Sequence, residues 1–113
     1  MKITEKEVVQ IMVVDAEEWE LKPEDRDLRG FWIDLGSRME KDAAWARIEW
    51  LIAERLELVA RGEGKNALYR DPRDGRLWEL AHDHAALKDG GPPRLSLLDA
   101  ESAARRYDQL GNP

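Results

Sequence analysis

The pattern in this chain that most resembles a metal site is His82, Asp83 and His84, where two imidazoles flank one carboxylate. On a strand, His82 and His84 would point to the same face, and imidazole is a common zinc ligand. A zinc site needs further ligands, however, and these are the only two histidines in a chain without cysteine. We therefore favour surface or loop residues that form hydrogen bonds. A small metal-binding protein or metal-dependent enzyme is the alternative.

The sequence lacks the other common catalytic patterns. It contains no Gly-x-Ser-x-Gly motif and no cysteine–histidine pair that could supply a nucleophile. The Gly-Gly-Pro-Pro stretch at residues 90–93 has no lysine, serine or threonine at phosphate-loop spacing. Close carboxylate pairs arise by chance among 24 acidic residues, so they do not indicate glycosidase chemistry. We expect no catalytic activity and no cofactor.

An acidic segment at residues 15–27 holds seven acidic and two basic residues. A solvated, exposed connection is the simpler interpretation. The alternative is an acidic patch of Glu17, Glu18 and Glu20, with Trp19 as an aromatic anchor for a cationic partner. The formal net charge of −6 favours a basic partner over nucleic acid or an anionic membrane.

The elements that must position these groups include a predicted β-hairpin at residues 68–80. Its turn contains Asp71 and Asp74, whose side chains can accept hydrogen bonds from nearby backbone amides, and a glycine that permits positive φ. Leu77 and Trp78 are adjacent on the second strand and must point to opposite faces. We therefore expect both faces of this hairpin to be covered.

A helix is predicted over residues 43–61, with Asp42 as its N-cap and Gly62 at its C-terminal end. One apolar stripe, suited to packing on a sheet, contains Trp45, Ile48, Ile52, Leu56 and Val59. Glu57 and Arg61 would form a weak i,i+4 ion pair on this helix.

Two residues break the helical pattern. Trp50 falls on the polar side, where the N-terminal segment covers it or it stands exposed as a binding anchor; we favour coverage. Arg55 falls inside the apolar stripe. We expect it to reach solvent past the core edge, and the alternative is an ion pair with a buried carboxylate such as Glu79.

The remaining elements complete an α+β fold. Alternating residues after Gly30 predict a first hairpin at residues 31–40, and a further strand is predicted at residues 94–98. Asp99 caps a short C-terminal helix that ends near Gly111, and residues 8–14 suit either a strand or a helix. We predict one small antiparallel sheet, built from both hairpins and the later strand, packed on the long helix.

Composition predicts one soluble domain over residues 1–113. Apolar residues make up 42% and charged residues 37%, as in a globular protein with a densely ionised surface. The lack of cysteine fits a reducing compartment, and no secretory signal is evident, so we expect a cytoplasmic location.

From about residue 21 to 107 the chain resembles the immunity protein 27 family of bacterial polymorphic toxin systems. The residues that carry the resemblance form several separated motifs, whose order and spacing agree. They are Leu28-Arg29-Gly30-Phe31-Trp32, Arg47-Ile48-Glu49-Trp50-Leu51-Ile52, Leu68-Tyr69-Arg70-Asp71-Pro72-Arg73-Asp74-Gly75-Arg76-Leu77-Trp78-Glu79-Leu80, Gly90-Gly91-Pro92-Pro93-Arg94-Leu95 and Ala103-Ala104-Arg105-Arg106-Tyr107. The chain departs from the family pattern at residues 82–89, and residues 1–20 lie outside the resemblance.

The resemblance implies a small cytoplasmic α+β protein without catalysis that binds and neutralises a co-encoded toxin effector, most often by covering its active site. A basic, for example nucleic-acid-cleaving, toxin would complement the acidic charge. We expect Trp78, Gly75 and residues 90–93 to maintain the fold. The predicted toxin contacts are Glu17, Glu18, Trp19, Glu20, Trp50, His82, Asp83, His84 and Asp89.

Overall fold

The computed structural model of the chain describes residues 16–83 and 91–107. Its helices are α1 (Ala16–Trp19), α2 (Ala43–Glu54) and α3 (Ala100–Arg106). Its strands are β1 (Asp27–Arg29), β2 (Trp32–Asp34), β3 (Met39–Lys41), β4 (Glu57–Arg61), β5 (Ala67–Arg70), β6 (Leu77–Ala81) and β7 (Arg94–Leu98). The predicted α+β class is confirmed. The prediction for residues 8–14 lies outside the described residues.

Five strands form one antiparallel sheet in the order β1-β7-β6-β5-β4. The predicted central hairpin is confirmed as β5 and β6, with Tyr69 opposite Trp78. The predicted strand at residues 94–98 is β7, which pairs with β6. Gly75 adopts φ of 78° in the turn between β5 and β6, as its role there requires.

Both faces of this sheet carry a hydrophobic core. Trp78 is fully buried on one face, in a cluster with Ile48 and Leu51 of α2. Its neighbour Leu77 packs on the opposite face, against the cluster that contains Tyr107 at the end of α3. The expectation that both faces of the central hairpin are covered is therefore confirmed.

The predicted helix over residues 43–61 is too long. Asp42 caps it as predicted, since its side chain accepts a hydrogen bond from Trp45 N, but the helix ends at Glu54. Residues 57–61 form β4, which pairs with β5 and buries Ala60. Val59, assigned to the helical stripe, is instead 37% exposed. Pairing with a distant strand overrides the local helical periodicity here.

The roles predicted for Gly62 and Glu57 change with this correction. Gly62 follows a strand rather than a helix, and a Cβ there would lie 2.9 Å from Cε1 of Tyr107. Close approach of the backbone to that ring therefore requires glycine. Glu57 is not in a helical pair with Arg61 and lies 3.4 Å from the guanidinium of Arg70 on the neighbouring strand.

The predicted first hairpin is present as β2 and β3, but it does not join the main sheet as we expected. It forms a separate two-stranded sheet. The chain leaves the main sheet at Gly30, whose N–H donates to the carbonyl of Pro93 (2.9 Å). A Cβ at Gly30 would lie 2.9 Å from Cβ of Trp45, so the chain turns away in close contact with α2. The unpredicted strand β1 occupies the sheet edge instead.

The last described helix begins as predicted. The side chain of Asp99 accepts a hydrogen bond from Ser102 N (2.7 Å), and Tyr107 is the C-cap of α3. The predicted helix end near Gly111 lies outside the described residues. Within residues 16–83 and 91–107, no helix has the length and apolar character needed to cross a membrane.

Candidate functional site

The acidic segment is only in part the exposed connection that we expected, since half of its described residues are exposed and the others are partly or fully buried. Its central part, residues 19–25, is fastened to the protein by arginines and is called the fastened segment below. Arg47 on α2 donates to the carbonyls of Trp19 and Glu20 (both 2.9 Å) and to the carboxylate of Asp25 (3.0 Å). Leu21, in the middle of this segment, is only 4% exposed and belongs to the main core.

Two further arginines reach the fastened segment from the turn between β5 and β6. Arg73 donates to the carbonyl of Leu21 (3.0 Å), and Arg76 donates to the carbonyls of Lys22 (3.1 Å) and Asp25 (3.2 Å). Bidentate guanidinium groups suit this role because their donors lie in a rigid plane. The turn and the acidic segment therefore form one unit at this end of the sheet.

The two aspartates of the turn orient these arginines. Asp71 is 1% exposed and accepts from the backbone N–H of Arg73 (2.9 Å) and from its guanidinium (3.2 Å). Asp74 accepts from the backbone N–H (3.0 Å) and the guanidinium (2.7 Å) of Arg76. The prediction that these carboxylates accept from backbone amides is confirmed.

Ionisation of the turn and the fastened segment is coupled to these contacts. The hydrogen bond to Asp71 raises the pKa of Arg73 above its ordinary value. Partial burial opposes ionisation of Asp25, but its hydrogen bonds from Lys22 N–H and Arg47 lower its pKa overall. The pKa of Asp74 is lowered in the same way, against a burial effect, by Arg76. Both carboxylates are therefore held in the charged form.

The predicted contact residues Trp19, Glu20 and Trp50 meet where the fastened segment crosses α2. The two tryptophan rings are edge to face, with centroids 6.0 Å apart, and both side chains are partly buried. The structure thus supports coverage of Trp50 by the N-terminal segment. The Arg55 guanidinium lies 4.5 Å from the Trp50 ring and forms an ion pair with Glu20.

This arrangement corrects the partner suggested for Arg55. Its guanidinium remains partly exposed but pairs with Glu20, which also lies 3.0 Å from Arg73. The suggested partner, Glu79, instead accepts hydrogen bonds from Arg106 (2.6 Å) and from the Tyr107 hydroxyl (2.8 Å). Glu20 therefore has an internal structural role, and its contact with a toxin stays a prediction.

Glu17 and Glu18 are the exposed acidic residues of α1. The backbone carbonyl of Glu17 accepts a hydrogen bond from the Lys22 ammonium, while both carboxylates face solvent. The three residues of the predicted acidic patch, at positions 17, 18 and 20, thus do not form one exposed surface. Two of its carboxylates are available at the surface and one is paired inside the protein.

The second group of predicted contacts follows β6 and lies away from the fastened segment. His82 is partly buried, and its backbone N–H lies 3.4 Å from Asn66 Oδ1. Burial, together with the charge of Lys65, lowers the pKa of His82 against the opposing effect of Asp83. Asp83 is exposed, whereas the predicted contacts His84 and Asp89 lie outside the described residues.

The structure gives no support to the metal hypothesis. Among the described residues, no group of three or more histidine, aspartate or glutamate side chains is placed to hold a metal ion. His82 instead lines a shallow groove of about 260 Å³. Its other lining residues are Lys41, Trp45, Ile48, Glu49, Ile52, Leu80 and Pro93.

The hairpin of β2 and β3 exposes apolar residues, a surface that was not predicted from the sequence. Phe31 is 60% exposed, Leu35 48% and Ile33 41%, and Met39 is also exposed. The alternation of apolar and polar residues was visible in the sequence. The sequence places this hairpin in the main sheet packed on the long helix, and that position would not leave these residues exposed.

A family model described as immunity protein 27 matches residues 34–99, which is more than half of the chain. The chain belongs to the immunity protein 27 family. The matched segment runs from Asp34, the last residue of β2, to the N-cap of α3 and includes Arg47, Arg73 and Arg76, which hold the fastened segment. This confirms the family predicted from the sequence motifs. Comparison with curated proteins and with solved structures gives no match.

Proposed function

We propose that this chain binds a co-encoded toxin effector and neutralises it by covering the toxin's active site, without catalysis of its own. The observation that carries the proposal is the immunity protein 27 match over residues 34–99. A rigid domain suits this role, because a preorganised surface loses little conformational entropy on binding. The fastening of residues 19–25 by three arginines is one source of that rigidity.

The distribution of charge supports a basic toxin. Most arginines of the described segments are engaged within the chain, by carboxylates or by backbone carbonyls. Exposed carboxylates without such a partner remain, among them Glu17, Glu18 and Glu24. The outward field is therefore negative, in agreement with the net charge of −6. Such a field accelerates association with a cationic partner and makes the rate depend on salt.

Co-purification with the toxin domain encoded by the neighbouring gene tests the proposal. We expect a stable 1:1 complex in size-exclusion chromatography, and calorimetric affinity that weakens as salt is raised. The toxin's activity should fall in proportion to the complex formed. A toxin that neither binds the chain nor loses activity in its presence would overturn the proposal for that pair.

The exposed acids of α1 give a more specific prediction. Replacing Glu17 and Glu18 by glutamine should slow association by about threefold or more at low salt, because steering forces weaken with the field. Thermal stability should not change, since both side chains are exposed. Glu101→Lys, on α3, changes the net charge by the same two units and is the matched control. Equal association rates for the two variants would argue against α1 as the steering surface.

A further inference from the structure

We propose that the toxin docks on the apolar outer face of the β2–β3 hairpin and on the groove beside it. This proposal rests on the proposed function and identifies the surface that performs it. None of the predicted toxin contacts lies on the hairpin. The groove, however, contains one of them, His82.

Strand register defines the two faces of the hairpin. Trp32 is opposite Lys41, and Ile33 is opposite Glu40. Trp32 turns inward and packs against Trp45 of α2, with ring centroids 4.7 Å apart. Since side chains alternate along a strand, the outer face then carries Phe31, Ile33 and Leu35 in one row. These three residues are all at least 41% exposed.

Charges around the hairpin are compensated locally. Arg38 and Glu40 on the outer face form an ion pair of 2.7 Å, and Lys41 lies 3.5 Å from Glu49 on α2. The Arg38–Glu40 pair therefore borders the apolar row on its own face, whereas the Lys41–Glu49 pair lies on the inner face, where Lys41 is opposite Trp32. Such a centre of apolar residues with a polar border is the usual composition of a protein interface.

Asp42 fixes the hairpin to the rest of the protein. One carboxylate oxygen accepts hydrogen bonds from Phe31 N (3.0 Å) and from Trp45 N (2.9 Å), so it joins the base of the hairpin to the start of α2. The N–H of Asp42 also donates to the carbonyl of Phe31 (3.0 Å). The apolar row is thus presented from a fixed base, although isolated two-stranded hairpins are only marginally stable.

Two concave surfaces adjoin the hairpin and share Pro93. The groove that contains His82 is lined mainly by apolar side chains of α2 and β6. A smaller hollow of about 180 Å³ lies beside Phe31 and is bordered by Pro92, Arg94 and Asp83. A partner could therefore cover the apolar row and also insert an anchoring side chain into the groove beside it.

A toxin fits this surface better than a second copy of the chain does. Two copies would each bring a net charge of −6, and their long-range repulsion opposes association. A basic partner is attracted by the same field and can cover the apolar row once in contact. Charge complementarity therefore favours a basic toxin as the occupant.

The test replaces Phe31, Ile33 and Leu35 by serine and measures toxin affinity by calorimetry. We expect the Kd to rise by about 30-fold or more, as for loss of an interface hot spot. The matched control is Leu58→Ser with Val59→Ser, which removes two similarly exposed apolar side chains from β4. A serine variant that binds as tightly as the wild type would overturn the docking surface, whereas a wild type that fails to bind would overturn the proposed function.

A second variant does not depend on the stability of the serine triple. Because the chain has no cysteine, Leu35→Cys can be labelled at the hairpin tip with a bulky maleimide. We expect the label to block the toxin complex, and the same label on Leu58→Cys to leave it intact. Full binding with the label at residue 35 would contradict the proposal. A dimer that is lost in the serine triple while toxin binding stays unchanged would instead assign the surface to a second copy.

Discussion

The segments before and after β1 differ in which residues they expose to solvent. Before β1, the fastened segment is rich in acidic residues, yet it is held against the core by Arg47, Arg73 and Arg76. After β1, the β2–β3 hairpin exposes its apolar row to solvent. In these two segments, whether a side chain is exposed thus depends on whether the rest of the protein offers it a contact, and not on its polarity alone. The fastened segment has internal partners, whereas the outer face of the hairpin has none among the described residues.

The same substitution should have very different effects in the two regions. Leu21→Ala removes a core side chain from the fastened segment and should lower the free energy of unfolding by about 3 kcal/mol. Leu35→Ala, in the exposed row, should change it by less than about 0.5 kcal/mol. Urea unfolding of both variants provides the measurement. Similar losses would show that the hairpin tip is packed in solution.

Two arginines allow a parallel comparison. Arg73→Ala leaves the buried carboxylate of Asp71 without its counter-charge and releases Leu21 O, so we expect a loss of about 2 kcal/mol. Arg38→Ala breaks an exposed pair with Glu40 and should cost less than about 0.5 kcal/mol. Thermal unfolding of both variants measures the difference. A loss for Arg38→Ala that equals that for Arg73→Ala would remove the distinction between the two regions.

Variants of the two N-cap residues distinguish an effect on protein stability from an effect on toxin binding. Asp42→Ala and Asp99→Ala each remove an N-cap, and each should cost about 1 kcal/mol. Only Asp42 also holds Phe31 N, so only its loss should loosen the hairpin and weaken toxin binding. Calorimetry with the toxin, at a temperature where both variants are folded, makes the comparison. Equal toxin affinities of the two variants would indicate that the hydrogen bond from Phe31 N to Asp42 is not needed for binding.

Acid should weaken the hold on the fastened segment. The pKa of Asp25 is lowered in the folded protein, so its stabilising effect is present above its ordinary value of 3.8 and is lost as pH falls through the lowered value. Asp25→Asn should therefore be less stable than the wild type at neutral pH, with a gap that closes on acidification. Arg47→Met should show the same trend. Parallel stability curves against pH would contradict this assignment.

Local signals predicted much of the fold. The aspartates and glycine of the central turn predicted the β5–β6 hairpin, and Asp42 and Asp99 predicted where α2 and α3 begin. Each of these signals acts over a few residues. The end of α2 was missed because β4 depends on its pairing with β5, a contact that helical periodicity does not reveal.

The candidate site was harder to predict for the same reason. The hydrogen bond between Arg76 and Lys22 O joins residues 54 positions apart, so the fastening of the acidic segment left no local signal. The sequence motifs did predict the family, and they included Arg73 and Arg76 without indicating what those arginines contact. The alternation of apolar residues at 31, 33 and 35 predicted a strand but not which face would stay exposed.

Hydrogen exchange of the chain, free and bound to its toxin, shows which of the two regions the toxin covers, because it reports on both regions in one experiment. We predict that toxin binding slows exchange at the amides of residues 31–41, while residues 19–25 exchange at the same rate in both states. Slower exchange confined to residues 19–25, with the hairpin unchanged, would show that the toxin docks on the fastened segment and not on the hairpin.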